Sequence, residues 1–157
     1  MLKILGTLII SLVFWAGFLL LFQNGVIPVE TAGTARIGSW LSSVFIPSSL
    51  IVVFVTLVAS GIWFWISWKS RESSDCHELV KYWWGILMIP VATIGLLTFL
   101  NLGKTANVTV YTMFSYILHV ILIYWVGTSI SSTGMTKYIL PGSRAIRRLV
   151  SSVGIPL

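Results

Sequence analysis

Carboxylates are scarce in this chain: Glu30, Glu72, Asp75 and Glu78 are the only four among 157 residues, and none falls inside a long apolar run. Proton relays and acid–base chemistry within a membrane need groups that gain or hold charge at depth, so the scarcity argues against an enzyme or a pump built on buried acids. Cysteine occurs once, as Cys76, which excludes an intramolecular disulfide and a cysteine-rich metal site within one chain. The two histidines, His77 and His119, lie in a polar stretch and an apolar run respectively, so one chain cannot clamp a haem between them. Asp75-Cys76-His77-Glu78 offers four ligand types in a row, but neighbours on a helix diverge by about 100° and the spacing is not that of a zinc site. No phosphate loop, Ser-His-Asp set or zinc-protease motif is present. The chain is therefore expected to be non-enzymatic, with no cofactor and no metal.

What is abundant is apolar. Hydrophobic residues make up 57% of the chain and charged residues 9%, a composition too greasy for a water-soluble domain of this size. The net charge of +6 comes from basic residues flanking apolar spans, where they serve topology rather than direct binding of nucleic acid. The fold expected is an all-α polytopic membrane protein with four transmembrane helices, an extracytoplasmic interfacial helix and a C-terminal basic amphipathic helix, in a single membrane domain over 1–157.

The chain is organised around Lys69–Lys81, in which, the Cys76 thiol aside, seven of thirteen residues ionise: Lys69, Arg71, Glu72, Asp75, His77, Glu78 and Lys81. Such a stretch must lie in water. Before it, the uncharged run 4–23 is about as long as the ~30 Å hydrocarbon core requires, and with no small-residue cleavage site close behind, it reads as the first membrane helix rather than a signal peptide. Gly6, Ile10, Val13, Gly17 and Leu20 share one face of it, read as a packing face within the chain in preference to an oligomer seam. Residues 31–44 are too polar to span; Ile37, Trp40, Leu41 and Val44 repeat at helical spacing, which predicts a short interfacial helix with Trp40 at headgroup depth.

The second span is expected over 48–68, with Ser49, Thr56, Ser60, Trp63 and Ser67 on one stripe facing protein or, in the alternative, wetting a pore. The third runs over 82–102. Its Pro90 removes a backbone donor and predicts a bend; Thr93 is placed to help the freed carbonyl, and Gly85, Met88, Ala92, Gly95 and Phe99 form a mostly small face. Asn107-Val108-Thr109 in the next connector matches the glycosylation triplet, a match that short sequences produce by chance. The fourth span covers 111–129 with His119 near its centre and Thr112 and Ser115 on the same face. A lone imidazole there is expected to be neutral and hydrogen-bonded across a helix contact, with a gate position as the alternative. The tail 130–157 carries an amphipathic helix over 143–153: Ile146, Leu149, Val150 and Val153 on one side, Arg144, Arg147 and Arg148 on the other.

Four spans put both termini and 69–81 on one side, with eight lysines and arginines there against Arg36 and Lys104 opposite. That asymmetry assigns the termini to the cytoplasm, in a plasma membrane and most simply a bacterial inner membrane. Trp63, Trp65, Trp68, Tyr82, Trp83, Trp84, Tyr124 and Trp125 gather at the same boundary as an expected aromatic belt. At the level of architecture the chain is similar to small four-pass bacterial proteins such as colicin-type immunity proteins and membrane subunits of anti-phage defence systems, a likeness of size and span count that implies an immunity or defence role. The function expected is that of a self-associating membrane anchor, scaffold or sensor. Arg71, Glu72, Asp75, His77, Arg144, Arg147 and Arg148 would meet a cytoplasmic protein or anionic lipid headgroups. The competing expectation is an oligomeric channel or small transporter lined by Ser49, Thr56, Ser60, Pro90, Ser115 and His119.

Overall fold

The computed structural model describes residues 2–24, 26, 37–70, 76–101, 108–132 and 136–152, with side chains for all but 2–7, 10, 37, 38, 76, 77, 108, 109, 136 and 137. Every regular element among them is helical, with no strand. In chain order they are α1 (Leu2–Gln23), α2 (Ile37–Trp40), the π-helical turn π1 (Leu41–Phe45), α3 (Ile46–Lys69), α4 (Cys76–Asn101), α5 (Val108–Val120), a second π-helical turn π2 (Ile121–Val126), α6 (Gly127–Ser131), α7 (Thr136–Ile139) and α8 (Ser143–Ser152). Three runs are long and apolar enough to cross a membrane, Leu41–Lys69, Glu78–Asn101 and Val110–Ser131, while the apolar portion described in α1, Ser11–Gln23, is shorter. The molecule is an all-helical protein of the membrane class.

The separate interfacial helix expected over 31–44 is not what forms. Residues 31–36 lie outside the described residues, and from Ile37 to Lys69 the chain is one unbroken helical rod. A proline at position 47 would push its ring into the carbonyl four residues earlier on a regular helix. The π turn just ahead of it, marked by the Ile46 N–H donating to the Leu41 carbonyl, widens the helix at that point and lets it continue. The apolar stripe assigned to the membrane surface turns inward instead. Trp40 is buried, not lipid-facing, its ring 5.4 Å from Phe22 and 5.7 Å from Phe45. Phe45 in turn stacks on Tyr116 at 6.3 Å.

The fourth apolar run also contains a π turn, which decides what it buries. On an uninterrupted helix, at about 100° per residue, Thr128 would stand half a turn away from His119. The residue absorbed by π2, seen in the Gly127 N–H reaching back to the Leu122 carbonyl, rotates the following turn back toward the same side. His119 and Thr128 are both buried as a result. This run is the most enclosed of the three.

The third span begins earlier than expected, since α4 includes Cys76 to Lys81 as its first turns. Pro90 sits inside α4 without ending it, and the Thr93 hydroxyl donates to the Ile89 carbonyl at 3.0 Å rather than to that of Ile86, whose donor the proline removes. The glycine faces differ from expectation as well. A β-carbon on Gly17, Gly61, Gly85 or Gly95 would meet nothing within 4 Å, and Val13, Leu20, Met88 and Phe99 are exposed. The small-residue face of α1 therefore points away from the bundle rather than into it.

Candidate functional site

A band of hydroxyls and indoles runs through the interior, some matched between helices and some to carbonyls of their own helix. Near the end of the bundle holding Asn101, the Trp15 indole N–H donates to Ser49 Oγ at 2.8 Å while Ser49 donates to the Ile46 carbonyl at 2.9 Å. Asn101 reaches Ser48 Oγ at 3.4 Å. Deeper, Thr56 donates to the Val52 carbonyl at 2.6 Å and Ser60 to the Thr56 carbonyl at 2.8 Å. Ser49, Thr56 and Ser60 thus each satisfy a carbonyl of their own helix, which hides their polarity instead of offering it to a lumen.

His119 occupies the middle of the band. Its Nδ1 lies 2.6 Å from the Ser115 carbonyl oxygen; since a carbonyl only accepts, the imidazole donates there. His119 Nε2, Ser115 Oγ and Ser11 Oγ are buried without a partner. Pro90 is buried on α4, and Thr112 is buried one turn from Ser115.

Toward the opposite end the interior is filled by aromatic rings. Trp63, Trp83 and Tyr124 have no measurable exposure. Trp63 Nε1 donates to Ser132 Oγ at 3.0 Å, Trp83 Nε1 to Thr128 Oγ1 at 3.0 Å, and the Tyr124 hydroxyl to the Trp83 carbonyl at 2.6 Å. These three are core residues rather than members of the aromatic belt to which the sequence assigned them. Trp65 and Trp68, each 64% exposed, and Tyr82 and Trp84 remain on the outside. Trp63 shares the stripe of Thr56 and Ser60, and that spacing was the available sign of its burial.

Arg147 ties the tail to this layer. Arg147 Nε donates to the Ser129 carbonyl at 3.0 Å, and its Nη2 donates to the carbonyls of Ile130 at 3.2 Å and Ser132 at 3.0 Å. These carbonyls end the fourth apolar run, where no further turn supplies donors and the helix dipole is negative. Burial draws the guanidinium down from its ordinary pKa, and the nearby Tyr138 opposes that shift. The Trp125 indole donates to the Pro141 carbonyl at 2.8 Å, and Gly142, at φ 73°, makes the turn into α8. Arg147, expected among the outward contacts, is thus an internal clamp. Arg144 and Arg148 remain exposed.

Of the other expected contacts, Arg71, Glu72 and Asp75 lie outside the described residues, as do Asn107 and Val153, and the side chain of His77 is not described. Among the described residues the one ion pair is Lys81 with Glu78 at 3.7 Å, exposed on both sides, and no group of three or more metal-ligating side chains gathers. No protein-family model matches the chain, and comparison with curated proteins and with solved structures returns no match.

Proposed function

We propose that the chain is a four-span, non-enzymatic anchor or scaffold of the plasma membrane, in the simplest case a bacterial inner membrane, with both termini in the cytoplasm. It offers a cytoplasmic protein the polar segment 69–81, and it self-associates through the outward glycine faces of α1 and α4. The observation that carries this reading is the Arg147 clamp. Three hydrogen bonds fix α8 to the end of the fourth apolar run, so α8 is held against the bundle's face. The α1 run supplies the fourth crossing: its 22 helical residues reach about 33 Å at 1.5 Å each, enough for the hydrocarbon core. A bacterial immunity or defence setting rests on size and span count alone.

The channel alternative has less behind it. Ser49, Thr56 and Ser60 donate to carbonyls of their own helix, and Phe22, Trp40, Phe45 and Tyr116 at one end and Trp63, Trp83 and Tyr124 at the other are buried in the bundle. This packing favours a conducting path between subunits, if there is one, over a path through a single chain. Two measurements on protein purified in gentle detergent separate the readings. The scaffold predicts planar-bilayer current no higher than lipid alone, and a co-purifying soluble protein that is lost when Glu72, Asp75 and Glu78 are changed together to lysine. Robust current altered by His119→Ala, or a partner retained by the triple variant, contradicts it.

A further inference from the structure

The clamp fixes more than the attachment of α8; it fixes which way the helix is rolled. At about 100° per residue, the side of α8 turned to the bundle carries Ser143, which is buried, and Ile146, Arg147 and Val150, which are half-buried. Arg144 and Arg148 then lie roughly 120° round the helix on one flank, and Leu149 roughly 120° round on the other. Leu149 is 67% exposed, and Ala145 beside it is exposed too. A tail helix that merely covered the bundle in water would point the middle of its apolar stripe at the protein. Here the stripe is only partly used for that contact, and its remaining edge faces away opposite two arginines.

We infer that α8 lies in the headgroup layer beside the bundle, with Leu149 directed into the acyl chains and Arg144 and Arg148 forming a site for the phosphate of an anionic phospholipid. Three further observations fit. First, the depth is right: Trp63 donates to Ser132, and the carbonyl of the same Ser132 receives Arg147. That chain of contacts levels the clamp with the α3 turn bearing the exposed Trp65 and Trp68, rings of the type that settle at the membrane interface. Second, the charges are of one sign. Arg144 and Arg148 are four residues apart on one face, and the segment 130–157 contains no Asp or Glu, so the like-charged pair calls for an external anion. Third, one flank needs phosphate and water while the other needs hydrocarbon about a helix diameter away. An interface provides both; an acidic protein surface provides only the first.

The inference rests on the proposed membrane orientation, because anionic lipid acts on this helix only in the leaflet where α8 lies. The test uses the full chain with Cys76→Ser, spin-labelled at Leu149→Cys or at Arg148→Cys and reconstituted in phosphatidylcholine vesicles containing phosphatidylglycerol. The label at 149 should collide more with oxygen than with a water-soluble nickel chelate, and the label at 148 the reverse. Separately, Arg144→Gln with Arg148→Gln should weaken phosphatidylglycerol binding roughly 25-fold, measured by native mass spectrometry of lipid-titrated protein, while phosphatidylcholine binding is unchanged. Arg144, Arg148 and Leu149 are exposed, so substitutions there keep the fold. Equal nickel accessibility at 148 and 149, or undiminished phosphatidylglycerol binding, overturns the inference. Failure of the orientation itself is read independently, from the side on which Cys76 is labelled.

Discussion

Arg147 shows how one side chain can decide the placement of an element. Its guanidinium is planar with donors in a fixed fork, and it meets three carbonyls that the end of a helix leaves without partners. Charge-assisted hydrogen bonds contribute about 1.5–3 kcal/mol each at most, and sharing one donor group among three acceptors gives less than their sum. Arg147→Ala is therefore predicted to destabilise the tail's docking by about 2–3 kcal/mol, read as faster proteolysis within 136–152 and a lower melting temperature in detergent. Arg147→Lys should recover only part of the loss, since an ammonium cannot fork. Arg144→Ala should stay within about 0.5 kcal/mol. The sign of any pH effect follows from the lowered pKa. A cation depressed on folding binds fewer protons when folded, so its penalty is present at low pH and relieved as pH rises through the folded value. For arginine that window lies in strong base, so docking is predicted to be indifferent to pH between about 5 and 9. None of this was legible in the residue pattern. Arg144, Arg147 and Arg148 fall together on a helical wheel, and only the carbonyls of Ser129, Ile130 and Ser132, brought close by the fold, single out which one turns inward.

The three long membrane helices were legible as elements because hydrocarbon thickness imposes a length that uncharged runs either reach or do not. Two things were not. A π turn has no compositional signature, so the continuation of α2 through π1 into α3 and the shift of register at π2 appear only in three dimensions. Nor can an apolar stripe at helical spacing reveal whether lipid or protein covers it: in the stripe of Trp40, Leu41 and Val44 all three are buried, and Trp40 packs on Phe22 and Phe45. These two kinds of burial predict different mutational costs. Trp40→Ala should destabilise by about 3–5 kcal/mol, the range for a large core aromatic, whereas Trp65→Ala, exposed, should cost about 0.5 kcal/mol or less. For the indole–hydroxyl contacts that tie the helices together, a double-mutant cycle of Trp63→Phe with Ser132→Ala should return a coupling of about 0.6 kcal/mol, and no more than about 1.7. A coupling of zero would mean that the hydrogen bond adds nothing to the packing of α3 against the fourth run.

For the molecule as a whole, packing and charge make separate demands. The described interior is packed with aromatic rings and hydroxyls, and the proposed function acts through the surface: the segment 69–81, the outward face of α8 and the glycine faces. The proposed assignment of each surface to an aqueous compartment rests on eight lysines and arginines set against two, because cationic loops resist translocation. Both the scaffold and the headgroup site depend on that assignment, and the chain contains its own reporter for it in the single thiol at the start of α4. The most direct test is labelling of Cys76 with a membrane-impermeant maleimide. In the expected arrangement Cys76 reacts in inside-out vesicles and stays unlabelled in intact cells until they are lysed. Labelling of Cys76 in intact cells would contradict it.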